Sequence, residues 1–330
     1  MQRIVARAPT RIDFGGGWTD VPPYTTEHGG CVCNLAIARH AEVTIIPAPG
    51  RVILDEDGRV EEAASPSAFA RDGGPLLMKA ALRCASVGDI RVGLRSDFPF
   101  GAGLGGSSAA GVALAGALAE YRGETLSREE VAERSRATEA QELGIAGGKQ
   151  DHYAAAFGGA LGLRFGETVT VHPIALNDRL AAELEQRCVL AYTGQSRISG
   201  DTIAAVLDAY RAREPRVTRA LARMKALAES MIEALEHGSI DDLGLLVAEH
   251  WTHQRAMHPT ITTLGIERVM EAARAAGALG GKALGASGGG CVVVIAPENE
   301  ADAVRAAVGT VADVLPFTID RDGLAVASRE

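Results

Sequence analysis

Apolar residues in the first part of the chain alternate with polar ones or form short β-branched runs, and both patterns are typical of β-strands. Helical spacing appears in a few longer segments, and a hairpin is indicated around Gly166. The predicted strands cover residues 4–6, 11–14, 31–37, 41–47, 52–54 and 90–94, and the predicted helices cover 75–85, 107–121 and 127–143. The first half is therefore expected to be built around a sheet.

The second part of the chain has a different pattern, because apolar positions between residues 199 and 276 recur with helical spacing. Breaks in this pattern fall near Pro215, Gly238 and Pro259. Further elements are predicted as strands at 188–192, 291–295, 311–317 and 324–327 and as a helix at 298–308. The change near 175–187 predicts an α+β protein of two halves with a cleft between them, which we divide into domains 1–178 and 179–330.

The composition limits the class of partner and the compartment. The chain has 330 residues and a formal net charge of −9, which disfavours nucleic acid and anionic membranes as partners. Its five cysteines include no CxxC pair, which indicates a reduced, cytoplasmic protein. The residues after Met1 show no signal-peptide pattern, and no apolar run reaches the roughly 18 residues of a membrane span. An anionic small molecule would need a local basic pocket or a metal ion.

A glycine-rich stretch between the predicted strand 90–94 and the predicted helix 107–121 carries the strongest chemical signal. Four glycines in six residues are followed by two serines and an Ala-rich helix. Glycines let backbone N–H groups approach an anion closely, and the helix directs its positive end toward the same point. The stretch therefore predicts a phosphate site. Its residues are Pro99, Gly101, Gly103, Leu104, Gly105, Gly106, Ser107, Ser108 and Ala109.

The residues alone leave other interpretations of this stretch open. Residues 101–106 match the GxGxxG pattern of a dinucleotide-binding Rossmann domain, although 97–100 separate them from the strand, and that strand alternates as an antiparallel strand does. An ordinary glycine-rich turn that binds nothing is a second alternative. A Walker A motif is absent from the sequence, and the serine within 286–288 is interpreted as part of a glycine-rich loop and not as a GxSxG nucleophile elbow.

The segment 11–20 is a second concentration of chemistry-bearing residues. Arg11 and Asp13 share one face of a predicted strand, and the glycines that follow present Trp18 and Asp20 on a turn. An arginine beside a phosphate site stabilises charge in phosphoryl transfer, while a carboxylate and an aromatic ring suit a sugar. Alternatively, Arg11 and Asp13 form only a surface pair and Trp18 belongs to the core.

Two carboxylates, Glu139 and Asp151, flank a glycine-rich turn. One could hold Mg²⁺, which takes one or two protein carboxylates together with phosphate oxygens. The other could orient an attacking hydroxyl or accept its proton. The alternatives are that Glu139 lies on a solvated helix face and that Asp151 is a helix N-cap.

Three histidines, His250, His253 and His258, are spaced closely enough to suggest a zinc site. No nearby cysteine or carboxylate completes a known ligand spacing. An ordinary amphipathic helix is the favoured interpretation of this segment.

Three segments together resemble the motifs of the GHMP kinase superfamily, which includes galactokinase, homoserine kinase and mevalonate kinase. They are 8–20 (APTRIDFGGGWTD), 99–110 (PFGAGLGGSSAA) and 282–290 (KALGASGGG), and they occur in the family's order across nearly the whole chain. The resemblance implies a two-lobed α+β fold with the active site in the cleft. Its N-terminal lobe would be a ribosomal-protein-S5-like domain 2, and its C-terminal lobe would be ferredoxin-like.

The resemblance also implies ATP and Mg²⁺ and assigns roles to residues. Asp151 stands at the catalytic aspartate and Arg11 at the basic residue that assists it. Glu139 stands at the Mg²⁺-binding glutamate, with Ser108 (or Ser107) as its partner ligand. The ATP phosphates fall on the glycine-rich stretch 99–109. The residues assigned to the acceptor side are Gly17, Trp18, Asp20, Lys149, Arg197, Gly288 and Gly289.

Within the family, the segments 15–24, 148–159 and 192–197 resemble the branch that holds D-glycero-D-manno-heptose 7-phosphate kinases and bacterial L-fucokinases. This implies transfer of the ATP γ-phosphate to the anomeric hydroxyl of a sugar, with heptose 7-phosphate favoured. L-fucose or another hexose is the alternative acceptor, and a non-catalytic ligand sensor is a further one. For a heptose 7-phosphate, Lys149, Arg197 and Arg39 are the candidate cations for its phosphate. The helical half offers surface for a homodimer without specifying one.

Three departures from the branch pattern affect these expectations. The phosphate loop has Gly106-Ser107-Ser108 where the heptose kinases usually have three serines, so one hydroxyl is missing. Trp18 stands where they often have glycine and is more like the fucokinases. Ser287 replaces a frequent glycine, which the backbone tolerates if its φ stays negative.

Overall fold

A computed structural model describes residues 3–99, 101–144, 147–196 and 200–329, and within them the chain forms two β-sheets with helices packed against both. The strands are β1 (Arg3–Gly15), β2 (Gly30–Pro47), β3 (Val52–Glu56), β4 (Arg59–Ala63), β5 (Ile90–Ser96), β6 (Ala160–Phe165), β7 (Val169–Ile174), β8 (Cys188–Tyr192), β9 (Gly280–Ala283), β10 (Cys291–Ile295), β11 (Asp313–Val314) and β12 (Ala325–Arg329). The helices are α1 (Tyr24–His28), α2 (Leu76–Ala85), α3 (Gly106–Tyr121), α4 (Arg128–Ala137), α5 (Gln150–Phe157), α6 (Asp178–Arg187), α7 (Gly200–Arg211), α8 (Pro215–Glu236), α9 (Ile240–Ala256), α10 (Leu264–Ala275) and α11 (Ala301–Gly309). Short 3-10 turns lie at Pro66–Ala68 and Pro259–Ile261, and a wider π turn lies at Thr138–Glu142.

The first sheet has the strand order β12-β1-β2-β5-β3-β4, and β6 and β7 extend it from β2. Among these described strands, β3 and β5 pair in parallel and the other neighbours are antiparallel. One face buries α3, which is apolar almost all round, together with the inner faces of α2, α4 and α5. A mainly antiparallel sheet is not the parallel sheet of a Rossmann domain, so that interpretation of the glycine loop is wrong.

The two longest strands, β1 and β2, each join segments that the sequence predicts as separate strands. They pair along almost their whole length, with register shifts after Pro9 and after Asp13. Proline has no amide hydrogen to donate, so the ladder shifts at that point and the strand continues beyond it. The second shift lies where β1 reaches the glycines that follow Phe14, at the start of the turn that carries Trp18.

The second sheet is antiparallel, with the order β11-β8-β10-β9, and the helices α7 to α11 pack around it. The predicted breaks are confirmed: α8 begins at Pro215, α9 follows Gly238, and Pro259 opens a 3-10 turn. Proline fits the first turn of a helix because its missing N–H would have no partner there. The predicted strand at 311–317 shortens to β11. None of the described helices is both long and apolar enough to span a membrane.

The region that the sequence suggests as a seam, 175–187, contains a helix that the pattern analysis missed. Asn177 caps α6, whose residues Leu180 and Leu184 are buried. An apolar cluster then connects the halves, since side chains from β1 and β2 pack with side chains from β8, β10, α8 and α9. The last strand, β12, returns to pair with β1. The domain boundary at residue 178 stays a prediction, and the last strand of the second half belongs to the sheet of the first half.

Candidate active site

The glycine-rich stretch begins as a loop after β5 and continues into the first turn of α3. Gly105, the residue before α3, has a φ of +75°, and a Cβ there would lie 3.1 Å from Cγ of Asp151. Among the described residues no side chain caps α3, although two serines stand in its first turn. The first N–H groups of the helix therefore remain available to an anion that approaches along its axis.

Backbone hydrogen bonds fix the loop from both sides. The N–H of Arg11 in β1 donates to the carbonyl of Leu104 at 3.0 Å, and the N–H of Cys291 in β10 donates to Ala102 at 2.7 Å. Leu104 is buried, and so is Ala109, whose N–H donates to Gly105 at 2.9 Å. The predicted phosphate residues within the described part of the chain thus form one supported segment.

Arg11 and Asp151 form an ion pair at the edge of this loop. Nε and Nη2 of Arg11 both lie 2.7 Å from Oδ1 of Asp151, and Nη1 donates to the carbonyl of Gly103 at 2.7 Å. The arginine side chain is buried, whereas the carboxylate is 25% exposed. Lys149, not Asp151, occupies the N-cap of α5, so the N-cap interpretation of Asp151 is wrong. The surface pairing of Arg11 with Asp13 is also wrong, because each is buried with a different partner.

Asp13 pairs instead with Lys282, a residue that no motif analysis assigned a role. Nζ of Lys282 lies 2.8 Å from Oδ2 of Asp13 and 2.7 Å from its carbonyl, and both side chains are almost completely buried. Burial raises the pKa of the Asp13 carboxyl, but the charge of Lys282, with a smaller contribution from Arg11, outweighs it and holds that pKa below its ordinary value. The pair is sealed away from any ligand.

His250 belongs to the same buried region. Its Nε2 accepts a hydrogen bond from the N–H of Gly16 at 2.9 Å, which requires an unprotonated nitrogen. Burial, assisted by the charge of Lys282, lowers the pKa of His250 to about 3. Among the described residues no group of three or more His, Cys, Asp or Glu side chains could hold a metal ion, so the zinc interpretation finds no support there.

The turn after β1 brings Asp20 against the start of α5. Oδ2 of Asp20 accepts the N–H of Gln150 at 3.0 Å, and Gly17 lies so close to Asp13 and Gln150 that a Cβ would meet their side chains. Burial, with the neighbouring charges of Asp151 and Asp13, raises the pKa of Asp20 to about 6 despite that hydrogen bond.

Trp18 is only 7% exposed and lies in an apolar cluster with Tyr24 and Met224. Its φ is +79°, a left-handed conformation that a bulky residue rarely adopts. The burial favours the core interpretation of Trp18 over stacking on a sugar.

Glu139 lies in the π turn, directly after α4. The capping box of Ser127 and Glu130 starts α4 as predicted, but the helix ends at Ala137 and the wider turn follows it. The Glu139 side chain accepts a hydrogen bond from the Ser107 hydroxyl and is 9% exposed, so the solvated-face interpretation is wrong. A hydroxyl and a carboxylate oxygen beside a phosphate site are the hard donors that Mg²⁺ prefers.

The hydrogen bond therefore pairs Glu139 with Ser107. The family resemblance instead gives Ser108 as the first choice of partner ligand. Ser108 is buried on the next face of α3, with Oγ 3.4 Å from Nε2 of His152. Successive helical residues point about 100° apart, so only one of the two serines can face Glu139. Burial raises the pKa of Glu139, but hydrogen bonds from His152 and Ser107 hold it below its ordinary value.

The cations expected on the acceptor side are engaged by other groups. Nζ of Lys149 lies 2.8 Å from Oε1 of Glu133, and the guanidinium of Arg39 donates to the carbonyls of Asp97 and Pro316. Arg197 lies outside the described residues.

The third motif packs beside the phosphate loop. The N–H of Gly288 donates to the carbonyl of Ile261 at 2.9 Å, and Gly289 follows it with a φ of +139°. Ser287 has a φ of +65°, so the condition for an unstrained serine at this position, a negative φ, is not met. Its Oγ accepts a hydrogen bond from Nε2 of Gln254 at 2.8 Å, which holds the serine in this left-handed conformation.

Comparisons with known proteins find two matching family models and several similar proteins. The family described as GHMP kinases N terminal domain matches residues 75–159, and the GHMP kinases C terminal family matches 231–313. A D-glycero-alpha-D-manno-heptose 7-phosphate kinase of Campylobacter jejuni is 28% identical, with 98% of each chain covered. The L-fucokinase/L-fucose-1-P guanylyltransferase of Bacteroides fragilis is 30% identical over 92% of this chain, which spans 35% of that longer protein. The crystal structure of a D-glycero-D-manno-heptose 1-phosphate kinase from Bacteroides thetaiotaomicron superposes with a TM-score of 0.80 at 27% identity over 98% of both chains.

Proposed function

Because the chain belongs to the GHMP kinase family and is an ATP-dependent sugar kinase, we propose that it phosphorylates the anomeric hydroxyl of D-glycero-D-manno-heptose 7-phosphate. The structural observation that supports transfer to a hydroxyl is the position of the partly exposed Asp151 carboxylate against Gly105, the residue that precedes α3, while the choice of acceptor rests on the similarity to the heptose 7-phosphate kinase of Campylobacter jejuni. An acceptor hydroxyl bound at Asp151 would face a phosphate bound at the α3 N-terminus.

The loop and the first turn of α3 bind the β- and γ-phosphates through backbone N–H groups. Ser107 and Glu139 would hold Mg²⁺, which when bound neutralises charge on those phosphates. This assignment rests on the contact between the two side chains and on the pKa of Glu139, which keeps the carboxylate ionised.

Asp151 orients the C1 hydroxyl and accepts its proton as the sugar oxygen attacks the γ-phosphorus. A P–O bond to the sugar forms while the bond to the bridging β,γ-oxygen breaks, and ADP leaves with that oxygen. Arg11 keeps Asp151 in place through two donors and anchors it to the carbonyl of Gly103. The same positive charge stabilises the transferring phosphoryl group.

On the acceptor side, Asp20 accepts hydrogen bonds from sugar hydroxyls near Gly17. A heptose 7-phosphate also requires cations at its far end, which Lys149, Arg39 and Arg197 are proposed to supply. Lys149 is half-exposed on Glu133 and can exchange that partner for a phosphate. Five free cysteines, four of them buried, support the cytoplasm as the compartment.

The second candidate acceptor is L-fucose. The observation that favours it is the engagement of Lys149 and Arg39 by other groups, since a neutral sugar needs no cation. A non-catalytic sensor is opposed by the joint arrangement of Arg11, Asp151 and Glu139 at one loop.

One experiment separates these candidates. ADP release is measured with heptose 7-phosphate, L-fucose, galactose and mannose, and the product of the best acceptor is examined by ³¹P and ¹³C NMR. We expect heptose 7-phosphate to give the highest kcat/KM and a phosphorus coupled to the anomeric carbon. A preference for L-fucose selects the second candidate, and background turnover with every acceptor selects the sensor.

A further inference from the structure

Three buried side chains behind the phosphate loop form a chain of hydrogen bonds that the reaction described above does not use. Ser135 of α4, Glu139 of the π turn and His152 of α5 come from three different elements. Nδ1 of His152 lies 2.9 Å from Oγ of Ser135, and its Nε2 lies 3.1 Å from Oε2 of Glu139. Ser135 and His152 are each about 1% exposed.

The donors and acceptors fix the direction of this chain. An ionised carboxylate only accepts hydrogen bonds, so Nε2 of His152 donates to Glu139. In a neutral imidazole the other nitrogen accepts from the Ser135 hydroxyl, and in an imidazolium it donates to that hydroxyl; Nε2 donates to Glu139 in both forms. Oε1 of the same carboxylate receives the Ser107 hydroxyl, so each oxygen of Glu139 has its own donor.

We propose that His152, oriented by Ser135, is a positioning residue that holds the Glu139 carboxylate in the orientation required for Mg²⁺ binding. The inference rests on the proposed role of Glu139 as a metal ligand. The π turn alone leaves the Glu139 side chain several rotamers, and a donor on Oε2 selects the one that also contacts Ser107. Groups that orient metal ligands in this way change metal affinity or activity by about 10- to 100-fold when they are removed.

His152 also follows Asp151 in the first turn of α5. Asp151 contacts Arg11, whereas His152 contacts Glu139. One helical turn therefore sets the position of the proposed metal carboxylate relative to the proposed base.

Metal affinity is the readout that separates a positioning role from a structural one. Mn²⁺ replaces Mg²⁺ as the probe, and its binding to the intact protein with saturating ADP is followed by electron paramagnetic resonance. ADP binding without metal is measured by calorimetry. For His152→Ala we expect the Kd of Mn²⁺ to rise about 10- to 100-fold, while the Kd of metal-free ADP changes less than about twofold.

Two further variants keep the proposal testable if His152→Ala folds poorly. The substitution His152→Gln retains an N–H donor near the position of Nε2, so we expect it to recover most of the Mn²⁺ affinity. Ser135→Ala removes only the orienting hydroxyl and should weaken Mn²⁺ binding by a smaller factor. His172→Ala is the matched control, because His172 is an exposed histidine that also contacts a glutamate, Glu236.

Glu139→Gln distinguishes the failure of this inference from the failure of the proposed function. If Glu139→Gln weakens Mn²⁺ binding and both His152→Ala and Ser135→Ala leave it at the wild-type value, the positioning role is wrong and the metal site stands. If Glu139→Gln leaves Mn²⁺ binding unchanged, the metal assignment itself is wrong. Equal losses of Mn²⁺ and metal-free ADP affinity in the His152 and Ser135 variants would also overturn the positioning role, because they would indicate general damage to the site.

Discussion

Two residues of the same strand form ion pairs that differ in their exposure to solvent. Arg11 and Asp13 lie two positions apart on β1, and each meets an opposite charge from a distant part of the chain. Asp151, the partner of Arg11, has a side chain that is 25% exposed beside the phosphate loop. Lys282, the partner of Asp13, is 0% exposed.

The difference in exposure separates a chemical role from a structural one. A carboxylate that a substrate can reach is able to bind a hydroxyl and take its proton. A fully buried pair adds little net stability, because the desolvation of both charges offsets their attraction, but the removal of one partner leaves the other charge buried and alone. Each pair joins a basic side chain to an aspartate from a distant part of the sequence, and the two pairs differ in their access to solvent.

The largest expected effect comes from the partly exposed pair of Arg11 and Asp151. We expect Asp151→Asn to lower kcat by about 10²- to 10⁴-fold, because the amide cannot accept the proton of the sugar hydroxyl. Steady-state kinetics with the preferred acceptor measures this, and circular dichroism checks that the fold is retained. Asp178→Asn, at a carboxylate that is 97% exposed, is the control. Full turnover by Asp151→Asn would remove this residue from the chemistry.

A substitution in the buried pair of Asp13 and Lys282 should change the stability of the fold. We expect Lys282→Met to lower the free energy of unfolding by about 3–5 kcal/mol, because Asp13 is left buried without its cation. Urea denaturation followed by fluorescence measures the change. Adding Asp13→Asn to Lys282→Met should recover part of the loss, since no unpaired charge then remains. A single variant as stable as the wild type would contradict the structural role of the pair.

Asp20 extends the comparison to a buried carboxylate that forms no ion pair with a basic side chain in the described part of the chain. Its pKa is raised from 3.8 to about 6, so ionised Asp20 costs the fold roughly 2–3 kcal/mol above pH 7. This cost is absent below pH 3.8, grows as the pH rises from there to about 6, and is fully present above that value. We expect Asp20→Asn to raise the free energy of unfolding at pH 8 and to lose this advantage as the pH falls toward 4.

The check for Asp20 is a series of urea denaturation curves of wild type and variant between about pH 4 and pH 8, the range over which the linkage acts. Asp242→Asn, at an exposed position, is the control for the pH series. A stability difference that does not change with pH would mean that Asp20 titrates normally. If Asp20 binds sugar hydroxyls as proposed, the more stable variant also has a higher KM for the acceptor.

The smallest expected effect comes from exchanging arginine and lysine between the pairs. Arg11 uses three donor atoms, two on Asp151 and one on the carbonyl of Gly103, and the single nitrogen of a lysine cannot occupy all three of these positions. We expect Arg11→Lys to lower kcat about tenfold, the equivalent of one charged hydrogen bond. Lys282→Arg should instead affect stability and leave kcat close to its wild-type value. The opposite distribution would contradict the division between the two pairs.

Signals confined to a few neighbouring residues predicted much of the architecture. The capping box of Ser127 and Glu130 and the breaks near Pro215 and Gly238 depend on backbone geometry and local hydrogen bonds, and they appear as predicted. The long β1 and β2 were divided too finely, because a register shift after Pro9 lets one strand continue past a local irregularity.

The composition of the site was harder to predict. Only a resemblance to a family linked Arg11 with Asp151, which are 140 positions apart, and nothing linked Asp13 with Lys282, which are 269 apart. His152 carried no local signal, because its importance depends on Glu139 and Ser135 in the neighbouring turn and helix. Ser107 and Ser108 are adjacent in sequence, and only the packing of α3 shows which of them faces Glu139.

The sequence by itself determined where backbone N–H groups are exposed to an anion, because glycine content and a helix start are properties of consecutive residues. It also determined which residue types could bind a metal or move a proton. Tertiary structure alone decided which carboxylate is open and which is sealed. Exposure and pairing depend on side chains that converge from β1, α5 and the third motif, and a local pattern contains no information about what lies on the other side of the core.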